Sequence, residues 1–363
     1  MEYARVQKEF WKGKRVLLTG HTGFKGSWLS VFLLDLGAQV RGYSLPPRTE
    51  QDNYSVCGLH RQMDSVYGNI LDEAKLMECM RSFRPEIIFH LAAQPLVRRS
   101  YEQPRDTYET NVIGTLNVLE AARSAGTVRS AVMITTDKCY ENRGITRGYR
   151  ETDPMGGYDP YSASKGCAEL LISSYRRSYC CHGGTGQSEM AVASARAGNV
   201  IGGGDWSEDR LIPDCIRAVE AGEPIRLRNP TAVRPWQFVL EPLYGYLLLA
   251  EKLWDEPEAY IGGWNFGPDA KQIMTVEAMV HMLMSFWGEE QAEYHPDGSL
   301  HEDQILLLDS TKAWEHLGWK SRLSLEETLR WTFEWYRNRK SESPLEICRR
   351  QIHAFSEAKA ARR

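Results

Sequence analysis

The chain has 363 residues, of which 42% are hydrophobic and 25% are charged, and its formal net charge is −4. These values exclude an intrinsically disordered chain and leave no electrostatic footprint for nucleic acid or a membrane surface. The sequence has no uncharged apolar run of signal-peptide or membrane-spanning length, and its eight cysteines form no C-x-x-C pair. We therefore expect a cytoplasmic protein with reduced thiols and no bound metal, built as one large or two interlocked domains.

The first half of the chain alternates short apolar segments with amphipathic helical segments. Strands are predicted at residues 15–20, 39–44, 86–94, 131–137 and 190–202. Nearly continuous apolar strands separated by helices are typical of a parallel sheet that is covered on both faces. The pattern predicts the α/β class, with a Rossmann-type doubly wound parallel sheet.

After residue 200 the composition changes, and Gly, Pro, Trp and Arg become frequent. We predict a smaller interleaved α/β domain for the substrate, formed by residues 200–235 and 267–350. The dinucleotide-binding domain is then predicted over residues 1–199 with a return segment near 236–266. Residues 351–363 are predicted to be a tail.

Three glycines follow the first predicted strand: Gly20, Gly23 and Gly26. They permit, in turn, a tight turn, close approach of the backbone to a pyrophosphate, and close packing of the next helix on the strand. Their position at the start of the first strand–helix unit predicts a dinucleotide site. The second strand carries no acidic residue at its end, and Arg41 or Arg48 could hold a 2′-phosphate, so this feature leaves NAD and NADP both open.

Tyr161 and Lys165 begin the helix that follows the fourth predicted strand, and their spacing places both on the same side of that helix. A nearby ammonium favours the phenolate form of a tyrosine, which could then accept a proton from a substrate hydroxyl. Thr136, at the end of the adjacent strand, could orient the same hydroxyl. The alternative is a solvated Tyr–Lys pair on a helix face.

Asp137 and Lys138 directly follow Thr136. An enzyme that only oxidises and reduces one carbon needs no second acid/base pair there. An enzyme that also eliminates water does, because a base must remove the C5 proton of a 4-ketosugar and an acid must protonate the departing C6 hydroxyl. The alternative is a structural ion pair at the strand end.

Several motifs together resemble the CDP-glucose 4,6-dehydratases, a branch of the extended short-chain dehydrogenase/reductase family. The resemblance spans about residues 11–341. A lysine at position 138 is characteristic of the CDP-glucose branch, since relatives that dehydrate dTDP- or GDP-hexoses usually have Asp-Glu there. The motifs that carry the resemblance are TGHTGFKGSWL, FHLAAQPLVRRSY, TNVIGTLNVLE, TTDKCYEN, GYRETDPMGGYDPYSASKG, RAGNVIGGGDW, RLIPD and RPWQFVLEPL.

The resemblance implies an NAD-dependent lyase that converts CDP-D-glucose to CDP-4-keto-6-deoxy-D-glucose, an early step of deoxysugar biosynthesis for a surface polysaccharide such as the lipopolysaccharide O-antigen. It implies that Tyr161 is the base at C4 with Lys165 as its electrostatic partner and Thr136 as the orienting hydroxyl. It further implies that Asp137 is the acid at C6 and Lys138 the base at C5. A homodimer or homotetramer is expected, paired through two long helices at residues 111–125 and 162–179.

The resemblance also assigns binding residues. The cofactor residues are Gly20, Thr22, Gly23, Phe24, Gly26, Ala92, Ala93 and Asn111, together with Tyr161 and Lys165. The residues for the nucleotide diphosphate are Asn199, Arg210, Asn229 and Arg234. The sequence departs from the pattern at Asn69, where relatives usually have Asp, and in lacking the Trp that usually precedes GYRE.

Other functions remain open at this stage. A sugar-nucleotide 4-epimerase or a dehydratase of another nucleotide hexose would use the same scaffold. A dinucleotide sensor without activity would also use it, although such proteins commonly lose the tyrosine or the lysine.

Overall fold

The computed structural model describes residues 3–145, 147–180, 189–269, 273–288, 292–294 and 306–358. Residues 181–188 and 359–363 lie outside the described residues. The described part of the predicted tail, residues 351–358, continues a helix whose Ile352 and Phe355 are buried in the core, so it is not a solvated end. No helix among those described is both long and apolar enough to span a bilayer.

The main sheet of the described chain has seven strands, all parallel, in the order β10-β6-β5-β4-β1-β2-β3. Its central strands are buried along their whole length, which explains their continuous apolar sequences. The predicted doubly wound α/β fold is confirmed. The strands are β1 (Arg15–Thr19), β2 (Gln39–Ser44), β3 (Asp64–Tyr67), β4 (Ile87–His90), β5 (Ser130–Ile134), β6 (Ala191–Ala197), β7 (Asn199–Ile201), β8 (Ile225–Leu227), β9 (Val233–Phe238), β10 (Gly262–Phe266), β11 (Ile273–Thr275) and β12 (Ala292–Tyr294).

Helices cover both faces of this sheet and form two separate hydrophobic cores. One face packs against α2, α10 and the C-terminal helices, and the other packs against α4, α7 and α8. The helices are α1 (Lys8–Trp11), α2 (Phe24–Asp35), α3 (Asn53–Val56), α4 (Glu73–Phe83), α5 (Val97–Glu102), α6 (Pro104–Tyr108), α7 (Gly114–Ala125), α8 (Pro160–Tyr179), α9 (Leu211–Ala221), α10 (Leu240–Asp255), α11 (Pro257–Tyr260), α12 (Val276–Trp287), α13 (Thr311–Leu317), α14 (Leu325–Asn338) and α15 (Pro344–Glu357).

The segment predicted as one strand at 190–202 forms two strands that belong to different sheets. β6 lies in the main sheet, whereas β7 pairs with β9 in a small sheet of order β11-β9-β7. Gly198 is the single residue between them. A Cβ atom at Gly198 would lie 2.9 Å from a carboxylate oxygen of Asp137, so the absence of a side chain lets that carboxylate approach the backbone.

The chain returns to the main sheet after β9. α10 packs beneath β5 and β6, and β10 pairs in parallel with β6 at the edge of the sheet. This path supports a return segment near 236–266, while the domain boundaries themselves stay a prediction. The smaller unit also contains a parallel pair, β12 with β8.

Two buried glutamates on α10 tie distant parts of the chain to the core. Glu241 accepts hydrogen bonds from the backbone N–H groups of Arg322 (2.7 Å) and Leu323 (2.8 Å). Glu251 accepts from the Trp11 indole (2.6 Å) and the Gln7 backbone (2.8 Å). Burial raises the pKa of each carboxyl from 4.5 to about 7.

These glutamates predict a pH dependence of stability. The folded chain keeps the two protons up to about pH 7, whereas the unfolded chain releases them near 4.5, so stability falls as pH rises between these values and then levels off. The Glu241 contribution is about 3 kcal/mol across that window. Chemical unfolding at pH 5 and pH 8 should show a smaller difference for Glu241→Gln than for the wild type. The same substitution at the exposed Glu326 is the control, and an unchanged difference in Glu241→Gln would contradict the assignment.

Candidate active site

The glycine-rich loop between β1 and α2 is built from close backbone contacts. Gly20 has a φ of +75°, and a Cβ there would lie 2.7 Å from the Ala92 backbone nitrogen. A Cβ on Gly26 would lie 2.1 Å from the Gly20 carbonyl oxygen, so that glycine is needed for the helix to pack on the loop. Gly23 differs, because its Cβ would meet only the Gly20 oxygen, at 3.4 Å. The backbone at Gly23 is therefore accessible from the outside, as a cradle for a pyrophosphate requires.

Gly23 also caps α2, and no side chain bonds to the N–H groups of its first turn. These groups and the helix dipole favour an anion. Thr22 fixes the loop through a 2.9 Å hydrogen bond with the Ser44 hydroxyl and another to the Leu45 carbonyl oxygen, at 2.9 Å. The residues present thus fit a dinucleotide cofactor, with Phe24 opening the helix beside them.

The open space at Gly23 gives a test that separates cofactor binding from folding. Gly23→Ala should keep the melting temperature of the cofactor-free protein and weaken dinucleotide binding, because the added methyl group enters the cradle. Gly26→Ala should lower both. Calorimetric titration with NAD and thermal unfolding measure the two quantities, and normal affinity in Gly23→Ala would contradict the placement of the pyrophosphate.

The two arginines considered for a 2′-phosphate, Arg41 and Arg48, differ in their surroundings. Arg41 makes 2.6 Å and 2.5 Å contacts with Asp64 and also donates to the Cys79 carbonyl and the Ser82 hydroxyl. These bonds hold its guanidinium against β3 and α4. Arg48 instead lines a cavity of about 300 Å³ with residues of α5 and the loop before α9.

Asn111 holds the loop that follows β4. Its side chain donates to the Gln94 carbonyl (3.1 Å) and to the Ser164 hydroxyl on α8 (2.9 Å), and it accepts from the Gln94 N–H (2.8 Å). Asn111 lies within one turn of π-helix, Glu109–Ile113, a geometry frequent at functional sites. These bonds place the Ala92–Ala93 segment beside Gly20 and α8, as a nicotinamide pocket would need.

Local sequence sets the start of α8 immediately before Tyr161. Asp159 is the N-cap and accepts from the Ser162 N–H (2.9 Å) and hydroxyl (2.5 Å), and Pro160 occupies the first helical position. The first turn of α8 packs against the turn Asp137–Cys139 that follows β5. Strand β5 and helix α8 therefore bring together the two ends of the loop between them.

Tyr161 and Lys165 are both buried. Burial raises the pKa of Tyr161 to about 12, although hydrogen bonding with Thr136 and the charge of Arg210 act in the opposite direction. Burial lowers the pKa of Lys165 to about 8, although the charge of Glu169 opposes that effect. The structure thus joins the predicted Thr136, Tyr161 and Lys165 in one water-poor cluster.

Asp137 lies next to this cluster and is buried. It accepts a 2.8 Å hydrogen bond from the Thr136 hydroxyl, which also accepts from the Lys138 N–H at 3.4 Å. Burial raises the pKa of the Asp137 carboxyl, although Lys138, the Thr136 hydroxyl and Lys25 lower it. A buried carboxyl with a raised pKa is suited to donate a proton.

Sequence reasoning missed two residues of this site. Lys25, in the first turn of α2, is close enough to interact with Asp137 and Lys165. Burial, together with a smaller effect of the positive charge of Arg210, lowers the pKa of Lys25 to about 8. Asp205 is buried and pairs with Arg210 at 2.8 Å. The sequence does contain a signal for Lys25, because it is a charged residue inside the glycine motif with uncharged neighbours.

The four predicted nucleotide residues are not all in one place. Arg210 precedes α9 and is close enough to interact with Tyr161. Asn199 begins β7 and follows Gly198, the residue that lies against Asp137. Asn229 and Arg234 lie farther along the smaller unit, in the loop after β8 and on β9. Within the described ranges, no cluster of three or more His, Cys, Asp or Glu side chains could hold a metal.

Comparisons with known proteins show the family of this chain. Residues 17–332 match the family model described as GDP-mannose 4,6 dehydratase. The chain is 47% identical over 359 residues to the CDP-glucose 4,6-dehydratase of Salmonella typhimurium, covering 97% of this chain and 99% of the relative.

Solved structures with the same fold include two related enzymes. The dTDP-glucose 4,6-dehydratase DesIV of Streptomyces venezuelae, solved with NAD bound, superposes with a TM-score of 0.76 at 26% identity, covering 91% of this chain and 99% of that one. The UDP-glucose 4-epimerase of Thermotoga maritima, solved with UDP-glucose, gives a TM-score of 0.75 at 25% identity, covering 90% and 100%. The match along most of its length places this chain in the GDP-mannose 4,6 dehydratase family, to which it belongs.

Proposed function

We propose that this protein is an NAD-dependent CDP-glucose 4,6-dehydratase that converts CDP-D-glucose to CDP-4-keto-6-deoxy-D-glucose with loss of one water. The observation that carries the proposal is the buried Asp137, followed by Lys138, beside the Thr136–Tyr161–Lys165 cluster. This arrangement supplies separate groups for oxidation and for elimination. The Salmonella relative named above supports the choice of the CDP sugar.

The cofactor cradle is formed by Gly20, Thr22, Gly23, Phe24 and Gly26, with Ala92, Ala93 and Asn111 beside the nicotinamide. When bound, NAD would accept a hydride from C4 of the sugar and give the same hydride back at C6. NAD rather than NADP is supported by the NAD in the solved dehydratase relative.

Tyr161 removes the proton of the C4 hydroxyl, which Thr136 orients. The positive charge of Lys165 favours the tyrosinate that this step needs. Lys138 removes the C5 proton, which the 4-keto group makes acidic, and a proton is given back to C5 when the hydride is added at C6. Asp137 donates its proton to the C6 hydroxyl, which leaves as water.

The diphosphate of the nucleotide is assigned to Arg210 and Arg234, with Asn199 and Asn229 as hydrogen-bonding partners. Arg210 pairs with Asp205 in the structure, so a bound phosphate would either displace the Asp205 carboxylate or share the Arg210 guanidinium with it. The smaller unit, which carries Arg210, Asn229 and Arg234, is thereby proposed as the substrate-binding unit.

The test is incubation with NAD and CDP-glucose, or dTDP-glucose, in deuterated water, with products identified by NMR. We expect a 4-keto-6-deoxy product with deuterium at C5 from the CDP sugar alone. CDP-galactose as the product would indicate a 4-epimerase, and turnover of dTDP-glucose alone would indicate a dehydratase of another hexose. Cofactor binding without turnover of either sugar would indicate a sensor.

We also propose that the protein is a homodimer, or a homotetramer of such dimers. Exposed large apolar side chains lie on the two helical segments predicted to pair, namely Ile113, Leu170 and Tyr179. Two copies could cover these side chains in a four-helix contact. Leu170→Glu should lower the mass measured by light scattering to that of one chain.

A cytoplasmic location is proposed from the free thiols of Cys57, Cys79, Cys139, Cys167, Cys215 and Cys348. The product is proposed to enter the synthesis of a deoxysugar of a surface polysaccharide, with the lipopolysaccharide O-antigen as the specific case.

A further inference from the structure

A buried ion pair lies directly behind the catalytic cluster. Glu169, one helical turn after Lys165 on α8, faces Arg196 on β6, and both are 4% exposed. The carboxylate accepts from the Arg196 Nε (2.9 Å) and Nη2 (2.7 Å) in a bidentate arrangement. The Ser194 hydroxyl adds a third donor, at 2.8 Å.

The same ion pair contacts the chain on both sides of the segment that carries the elimination residues. Before this segment, the Thr135 hydroxyl donates to Glu169 at 2.5 Å. After it, Arg196 Nη1 donates to the Tyr140 hydroxyl at 2.6 Å, and its guanidinium lies 5.1 Å from the centre of the Tyr140 ring. The Tyr140 hydroxyl in turn donates to Asn265 on β10, at 2.8 Å.

The residues enclosed between these two contacts are Thr136, Asp137, Lys138 and Cys139. Only this four-residue segment separates Thr135 from Tyr140, so fixing both ends limits where its side chains can point. Glu169 belongs to the helix that carries Tyr161 and Lys165. The ion pair therefore connects the helix of the oxidation residues to the segment of the elimination residues.

We propose that Glu169, Arg196 and Tyr140 form a clamp that positions Asp137 and Lys138 for elimination against the sugar held by Tyr161. The clamp rests on the proposed function, and its members are positioning residues that do not touch the substrate. A bidentate pair that is buried and fully hydrogen-bonded is rigid enough to hold this geometry. A cavity of about 240 Å³ borders Glu169, Ser194 and Arg196, so packing alone does not fix these side chains there.

The clamp predicts that elimination is more sensitive than oxidation to loss of one contact. Tyr140→Phe removes the hydroxyl that receives Arg196 while keeping the ring, which stacks on Tyr149 with centroids 5.3 Å apart. We expect C4 oxidation, followed by reduced-nicotinamide absorbance in a single turnover, to change by less than about twofold. Deuterium incorporation at C5 and release of the 6-deoxy product should fall by roughly tenfold or more, since small displacements of catalytic groups are costly.

Thr135→Val is the second variant, because it removes the hydroxyl that donates to Glu169 with little change in side-chain volume. We again expect elimination to slow while C4 oxidation changes little. The control is Tyr149→Phe. It removes a hydroxyl from the same loop, and that hydroxyl bonds to Arg143 and Asn142 and not to a member of the clamp. Melting temperatures identify losses that are merely structural. The clamp is refuted if the variants lower both rates together or leave elimination unchanged, while absence of wild-type turnover would instead overturn the proposed function.

Discussion

Tyr161→Phe is expected to slow oxidation at C4 by about 10²- to 10⁴-fold, the usual contribution of a positioned general base. The substitution removes only the phenol oxygen from a buried side chain, so the loss measures proton removal and not packing. The rise of reduced-nicotinamide absorbance after mixing the NAD-loaded protein with CDP-glucose gives the rate. Because no later step can begin without the ketone, product formation should fall by the same factor.

Tyr175→Phe is the matched control for this measurement. Tyr175 lies farther along the same helix, outside the cluster, and its hydroxyl accepts a 2.9 Å hydrogen bond from Arg123. Its rate of C4 oxidation should stay at the wild-type value. A Tyr161→Phe protein with unchanged single-turnover oxidation would exclude this tyrosine as the base.

Asp137→Asn is expected to separate the two halves of the reaction. Oxidation at C4 should proceed, whereas loss of water should slow by about 10²- to 10⁴-fold because an amide cannot donate the proton that the C6 oxygen needs. Reduced cofactor should therefore accumulate in the presence of CDP-glucose. Rapid quenching and mass measurement should find a nucleotide sugar that has lost two hydrogens and kept its C6 oxygen.

Asp64→Asn serves as the control, since Asp64 is half-exposed on β3 and pairs with Arg41 away from the cluster. It should form product at the wild-type rate. Normal product formation in Asp137→Asn would rule out its role as the acid at C6. Equal loss of oxidation and elimination would show instead that Asp137 acts on the first step.

The fold was predictable because its signals are local and repeated. Each buried parallel strand reads as a continuous apolar segment, and the glycines at 20, 23 and 26 identify the first strand–helix turn. The position of the proposed catalytic segment could also be predicted, because it lies just after β5 and the Asp159-Pro160 pair fixes where α8 begins. In each case the residues that determine the local structure lie within one short segment of the sequence.

What could not be predicted depends on contacts between distant segments. The strand at 190–202 reads as one apolar segment, and its division between two sheets follows from the pairing of β7 with β9, more than thirty residues later. Lys25 lies more than a hundred residues before Asp137 in the chain, and only the fold shows that the two charges interact. The salt bridge between Arg210 and Asp205 likewise needs the three-dimensional course of the loop before α9.

The single residue between β6 and β7 has a mechanical consequence. Gly198 joins the sheet that holds the cofactor cradle to the one that includes β9, and a carboxylate oxygen of Asp137 lies against it. A rotation of the smaller unit about Gly198 on nucleotide binding would also move the carboxylate that we propose as the proton donor. The nucleotide would then contribute to the rate of elimination as well as to affinity, so that glucose 1-phosphate should react far more slowly even at saturation.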